Sequence, residues 1–179
     1  MQKSSERFHL NLSQQGLTLL ASDLLSADLV VCNQLELNLE GNCIDQKQPV
    51  LLKLRSIKSL NLSLNHIQAL YPLPSSLETL NLSCNHIKDL PLLSTLQKLK
   101  HLDLSCNLIS NISPLQGLNS LKTLLLAYNL IQETNALELF PHIVDIDLEH
   151  NKLASISSIQ GLITSNVLVF IFKNNPISE

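Results

Sequence analysis

Tryptophan is absent from the 179 residues, methionine occurs once, and phenylalanine and tyrosine together occur six times. A core built on large rings is therefore excluded, and aliphatic side chains must fill it. Charge is also sparse: 12 basic residues stand against 15 acidic ones for a net charge of -3. No run of Lys or Arg is long enough to track a phosphate backbone, so nucleic acid is not an expected partner. No uncharged apolar stretch reaches the roughly 18 residues that a membrane helix needs. The first ten residues carry Lys3, Glu6, Arg7 and His9 where a signal peptide would begin its apolar run. The chain accordingly reads as soluble and cytoplasmic, with no membrane partner. Cys32, Cys43, Cys84 and Cys106 show no CxxC spacing and do not cluster at the chain ends as disulfide caps do, which fits a reducing compartment. Four Asn-x-Ser sequons, at Asn11, Asn61, Asn81 and Asn111, would argue the other way if glycosylated, but three of them fall inside expected strands.

What the chain does have is leucine, 43 of its 179 residues, about twice the usual share. The leucines recur in a fixed pattern. IKSLNLSLNHI (57–67), LETLNLSCNHI (77–87), LKHLDLSCNLI (99–109) and LKTLLLAYNLI (121–131) all read LxxLxLxxNx(I/L). Weaker copies flank them: RFHLNLSQQGL (7–17), QLELNLEGNCI (34–44), IVDIDLEHNKL (143–153) and VLVFIFKNNPI (167–177). Measured at Gln15, Asn42, Asn65, Asn85, Asn107, Asn129, Asn151 and Asn175, the eight units are spaced by 27, 23, 20, 22, 22, 22 and 24 residues. Gln15 replaces Asn in the first unit, which predicts that this unit is the least regular and forms the N-terminal edge.

Alternation at LxL puts two leucines on one face of a short strand and polar residues on the other. One such unit cannot bury its leucines, so successive units must stack, strands parallel, in a quasi-one-dimensional solenoid with a continuous core. The Asn stands where the chain leaves the strand, and its amide can serve backbone groups that the turn would otherwise strand in the interior. Returns of ten or so residues leave room for a 3₁₀ turn or extended chain. Pro72, Pro74, Pro91 and Pro114 suit such returns. The longer stretch 17–31 has near-helical spacing of Leu19, Leu20, Leu24, Leu25 and Ala27 and predicts an α-helix of two or three turns; 133–139 is a similar case.

The repeat length and segments such as LISNISPLQGLNSLKTLLLAYNLI (108–131) resemble the 22-residue class of leucine-rich repeats. That class includes the nuclear regulatory subunit of type-1 protein phosphatase, the repeat domain of nischarin, ciliary and centrosomal proteins, and the bacterial internalins. The resemblance spans Arg7 to Ile177. It implies an α/β leucine-rich-repeat solenoid, a curved right-handed superhelix with a parallel concave sheet of about eight short strands, forming a single domain over 1–179. It also implies protein binding without catalysis, cofactor or metal. Members of the class usually continue past the final NxPI into a capping segment; the expectation here is that Val167, Phe170, Phe172 and Ile177 form an apolar C-terminal edge, so that either the chain is a fragment of a larger protein or something else covers that end, and that the chain is monomeric unless the edge self-associates.

With leucines inward, the outer face is set by the x positions, which form four columns across the repeats. The middle repeats carry small hydroxyls and Asn. In the C-terminal half Asp103, Asp145, Asp147 and Glu149 surround Leu125 and Tyr128, with His101 and His150 alongside. An aromatic anchor ringed by charge has the composition of an interface hot spot, suited to a partner presenting Lys or Arg beside an apolar group. Carboxylates and histidines on a flat ladder lack the convergence that a metal site needs, and no cleft is expected that could exclude water for hydrolysis. Cys84 and Cys106 share a column in adjacent repeats, within disulfide reach, with the reduced state expected. Three functional readings stay open: an adaptor or regulatory subunit, the N-terminal docking domain of a larger ciliary, cytoskeletal or signalling protein, and an extracellular or pathogen-type recognition module.

Overall fold

The computed structural model describes residues 7–20, 34–90, 93–134, 140–155, 157 and 167–177. Eight strands form one parallel sheet in sequence order. They are β1 (Arg7–Asn11), β2 (Gln34–Asn38), β3 (Ile57–Asn61), β4 (Thr79–Asn81), β5 (His101–Asp103), β6 (Thr123–Leu125), β7 (Asp145–Asp147) and β8 (Val169–Ile171). The inward leucines of the LxL pairs are sealed from solvent: Leu60, Leu62, Leu80, Leu82, Leu102, Leu104, Leu124 and Leu126 are each at most 1% exposed. Ile57, Leu77, Leu99 and Leu121 at the first position of each signature join them. The core is thus one aliphatic column running the length of the sheet, and the fold is a leucine-rich-repeat solenoid.

Register follows the signature. Ser59, Thr79, His101, Thr123, Asp145 and Val169 are successive partners, as are Leu60, Leu80, Leu102, Leu124, Ile146 and Phe170. One irregularity occurs between β2 and β3, where Leu35 pairs with Ile57 but Glu36 pairs with Ser59. Lys58 therefore bulges out, and buried Leu35 takes the core place that Ile57 holds in the next repeat. β1 pairs with β2 over five residues without a shift.

The repeated Asn is a buried polar spine. The Oδ1 of Asn85 accepts the Ile67 amide of the preceding repeat, while its Nδ2 donates to the carbonyls of Leu62, Leu82 and Ser83. Asn42, Asn65, Asn107, Asn129, Asn151 and Asn175 make the same pattern. The carbonyl of the second leucine in each pair from Leu39 to Leu148 is consequently served twice: that of Leu82 accepts from both Asn85 and Asn107. Gln15 does not fill the role. It is exposed, its side chain reaches the Ser13 carbonyl, and its amide is taken by Asn42 from the next repeat. Tyr71, buried in the return after β3, has the one buried side-chain polar atom without a hydrogen-bond partner among the described residues, and burial pushes its ionisation up.

Returns contain 3₁₀ turns at Pro49–Lys53, Leu93–Thr95 and Ser113–Leu115, two of them opened by proline. Of the helix expected over 17–31, the residues 21–31 lie outside the described ones, and Leu17–Leu20 contain no helical turn. Most of the second expected helix, 135–139, lies outside them as well.

Candidate protein-binding surface

Four sequence positions set the outer face. The first column runs His9, Glu36, Ser59, Thr79, His101, Thr123, Asp145 and Val169, in register. The second runs Asn11, Asn38, Asn61, Asn81, Asp103, Leu125, Asp147 and Ile171, in register. In six of these eight repeats the side-chain Oδ1 accepts the backbone amide two residues on: Ser13, Glu40, Ser63, Ser83, Ser105 and Glu149, at 2.9–3.1 Å. This is an Asx turn that ends each strand. With Oδ1 committed to the turn, Asn presents its NH₂ outward and Asp its second carboxylate oxygen. The column therefore offers donors from β1 to β4 and acceptors at β5 and β7. Leu125 has no oxygen to give the Ala127 amide.

The fourth column lies where the chain turns into the spine Asn. Gln14, Leu64, Cys84, Cys106, Tyr128, His150 and Asn174 all have φ between 53° and 57°, and Gly41 has φ 64°. Such a left-handed residue is expected of Gly, yet only one repeat supplies it. At that one, a Cβ would approach the Gln14 side chain to 3.1 Å. The left-handed turn swings these side chains outward: Leu64 is 51% and Tyr128 is 52% exposed. The sequence pattern showed the column but not this conformation, because no glycine repeats there.

The structure brings most of the sequence-predicted residues together. The rings of Tyr128 and His150 stack with centroids 4.3 Å apart and planes at 19°. Asn174, which sequence reasoning had not singled out, donates to His150 Nε2 at 2.9 Å and to Glu149 Oε1 at 3.1 Å. Because an amide NH₂ can only donate, His150 Nε2 is the acceptor in this bond. Leu125 is half-buried between Asp103 and Asp147 in its column, and Asp145 stands beside Thr123 and Val169 in the neighbouring one. His101 is separate from the ring stack and faces Thr123 Oγ1 at 3.1 Å.

Two other polar features share the sheet. Lys58 and Lys100 clasp Glu78 at 2.7 and 2.6 Å, and the two ammonium groups hold its carboxyl down to about 2. At the N-terminal end His9 meets Glu36 at 3.0 Å beside a shallow basin of about 340 Å³ lined by small polar groups including Asn11, Asn38, Ser59 and Asn61. Among the described residues no three His, Cys, Asp or Glu side chains converge as a metal site would require.

Family models describing leucine-rich repeats match residues 75–117, as two copies, and residues 53–69. No curated protein matches the chain. Among solved structures, an internalin (inlF) from Listeria monocytogenes superimposes with a TM-score of 0.76 at 21% identity, covering 96% of this chain and 56% of that one. Internalin C2 from the same organism gives 0.69 at 24% identity, covering 92% and 80%. The chain thus spans little more than half of the first of these, and at such identities the likeness is one of fold. The chain thus carries matched leucine-rich repeats over 53–69 and 75–117, and its fold as a whole is that of a leucine-rich-repeat solenoid.

Proposed function

We propose that the chain is a non-catalytic protein-interaction module, an adaptor or regulatory subunit, that docks one partner on the C-terminal half of its outer sheet face. The observation that carries this reading is Leu125. Six of eight repeats place a turn-capping Asn or Asp at that position, whereas β6 places an apolar side chain between the carboxylates of Asp103 and Asp147. A cap exchanged for apolar surface loses local stability, which is the kind of concession that binding sites make. The Tyr128–His150 stack lies on the same repeats, with Glu149 beside it and Asp145 at the start of the adjoining strand. Tyrosine loses little rotamer freedom when a partner covers it, and the surrounding acids favour a partner with Arg or Lys next to an apolar group. We place the module in the cytoplasm, on the same grounds of cysteine usage and composition as above.

Affinity capture with the wild-type chain, a Tyr128→Ala, Asp103→Asn, Asp147→Asn variant and an Asn38→Ser, Asn61→Ser variant tests this reading. Asp→Asn keeps the Oδ1 that caps the turn and changes only the outward atom. A partner retained by the N-terminal variant and lost by the C-terminal one is the expected result. Loss by the N-terminal variant alone would move the site to the basin beside His9 and Glu36.

A further inference from the structure

Cys84 and Cys106 occupy the fourth column on adjacent repeats, where both backbones are left-handed, at φ 54° and 55°. The Cys84 amide donates to the Ser105 carbonyl at 2.9 Å, and the Asn85 amide donates to the Cys106 carbonyl at 3.3 Å. The two backbones are thus bound as ladder neighbours, and strand spacing puts the residues about 4.8 Å apart, inside the roughly 4.4–6.8 Å that disulfides span between Cα atoms. With equal φ on two paired backbones, both Cα–Cβ bonds leave the ladder on the same side. The two are near enough that Cys84 helps to push the Cys106 thiol up. Both are reachable from solvent, Cys106 being exposed and Cys84 partly so, and neither is cross-linked.

We propose that Cys84 and Cys106 form a paired-thiol modification site, which small disulfides of the glutathione type oxidise to a cross-repeat disulfide. The exposed Cys106 thiolate attacks one sulfur of the small disulfide, whose S–S bond breaks; the departing thiolate takes up a proton. The Cys84 thiol then loses its proton and attacks the Cys106 sulfur of the mixed disulfide. The protein S–S bond forms and a second small thiol leaves with that proton. Two protein thiols are oxidised to one disulfide, and one small disulfide is reduced to two thiols. Cys43, exposed and without a thiol beside it among the described residues, stops at the mixed disulfide. Burial and the neighbouring Cys84 push the Cys106 thiol up, so the exchange accelerates as the solution is made more alkaline. Tyr128 is the next residue of the column, so the bond would form at the border of the ring stack.

The sequence makes the test direct. Lys88, Lys98 and Lys100 lie between the two cysteines, so trypsin puts Cys84 in the fragment 59–88 and Cys106 in 101–122. The full chain is incubated with excess oxidised glutathione at about pH 8.5, near the ordinary thiol range. It is then alkylated, digested without reduction and weighed. The expected product is 59–88 joined to 101–122, with Cys43 carrying glutathione. In a Cys106→Ser chain, checked for fold by circular dichroism, Cys84 should retain glutathione or stay free and form no cross-link. Glutathione adducts resting separately on Cys84 and Cys106, both thiols still free, or a bond from either to Cys32 or Cys43 would each overturn the assignment.

Discussion

Asparagine stands in two columns of this solenoid, one inside and one outside, and does different work in each. The inner Asn bridges repeats: its Oδ1 takes an amide from the preceding turn, and its NH₂ feeds carbonyls of both. The outer Asn or Asp is local, capping an amide two residues along its own chain. Only the inner position demands asparagine, since it must accept and donate at once away from water. Outside, any acceptor suffices, and Asn gives way to Asp and, in β6, to Leu125. The inner column therefore specifies the fold, and the outer one is free to specify a partner.

That contrast is broken most severely from within. Leu104→Ala should lower stability by about 2–5 kcal/mol, because it opens a cavity between close-packed repeats, whereas Ser105→Ala next to it should stay within about 0.5 kcal/mol. Urea unfolding followed by circular dichroism measures both, and equal effects would reverse the assignment of inner and outer faces. Asn107→Ala comes next, at about 2–3 kcal/mol. It strands the buried Ile87 amide, while the Leu82 and Leu104 carbonyls keep their bonds from Asn85 and Asn129. That redundancy is why one spine residue should not collapse the array.

The outer column is sharpened by a pair of changes. Asp103→Ala removes the acceptor for the Ser105 amide and should cost about 1 kcal/mol, as the loss of a comparable side-chain cap does. Asp103→Asn preserves that acceptor and should be neutral in the same unfolding series. If both destabilise equally, the charge and not the turn is what matters there. Charge on the outer face contributes less. Glu78 is held at about 2, below its ordinary 4.5, by Lys100 and Lys58. A depressed carboxylate stabilises the fold above its unfolded value, and that contribution fades as pH falls from about 4.5 towards 2. The side chains are roughly one-third exposed and water screens them, so Glu78→Gln should cost about 0.5–1 kcal/mol at pH 7 and almost nothing at pH 2. A cost independent of pH would point to packing by the glutamate stem.

The legible part of this molecule follows from the same division. Strand positions, register, the inward leucines and the Asn spine could all be read in advance because each repeats and each has one physical solution. The left-handed turn escaped because its residues are Gln, Gly, Leu, Cys, Tyr, His and Asn, with no common chemistry to betray it. The Asx caps escaped because Asp103 and Asp147 stand out in sequence by charge, whereas their first task is the one that Asn61 and Asn81 perform. Asn174 went unnoticed for the opposite reason: beside the spine residue Asn175 it looks like part of the motif, yet its amide anchors the His150 ring.

Leu125 is where the two demands on the outer column collide. Leu125→Asn would supply the missing Oδ1 for the Ala127 amide and extend the row of caps through β6. If turn geometry were all that this position served, the change would be a plain gain of about 0.5 kcal/mol, since half-buried Leu125 forfeits some apolar contact with it. If the position serves a partner, the same change stabilises the chain and weakens capture, because an amide replaces the apolar group between two carboxylates. Thermal unfolding and partner capture on the one variant separate these outcomes: a rise in stability with binding intact would remove Leu125 from the docking surface and leave the Tyr128–His150 stack to stand alone.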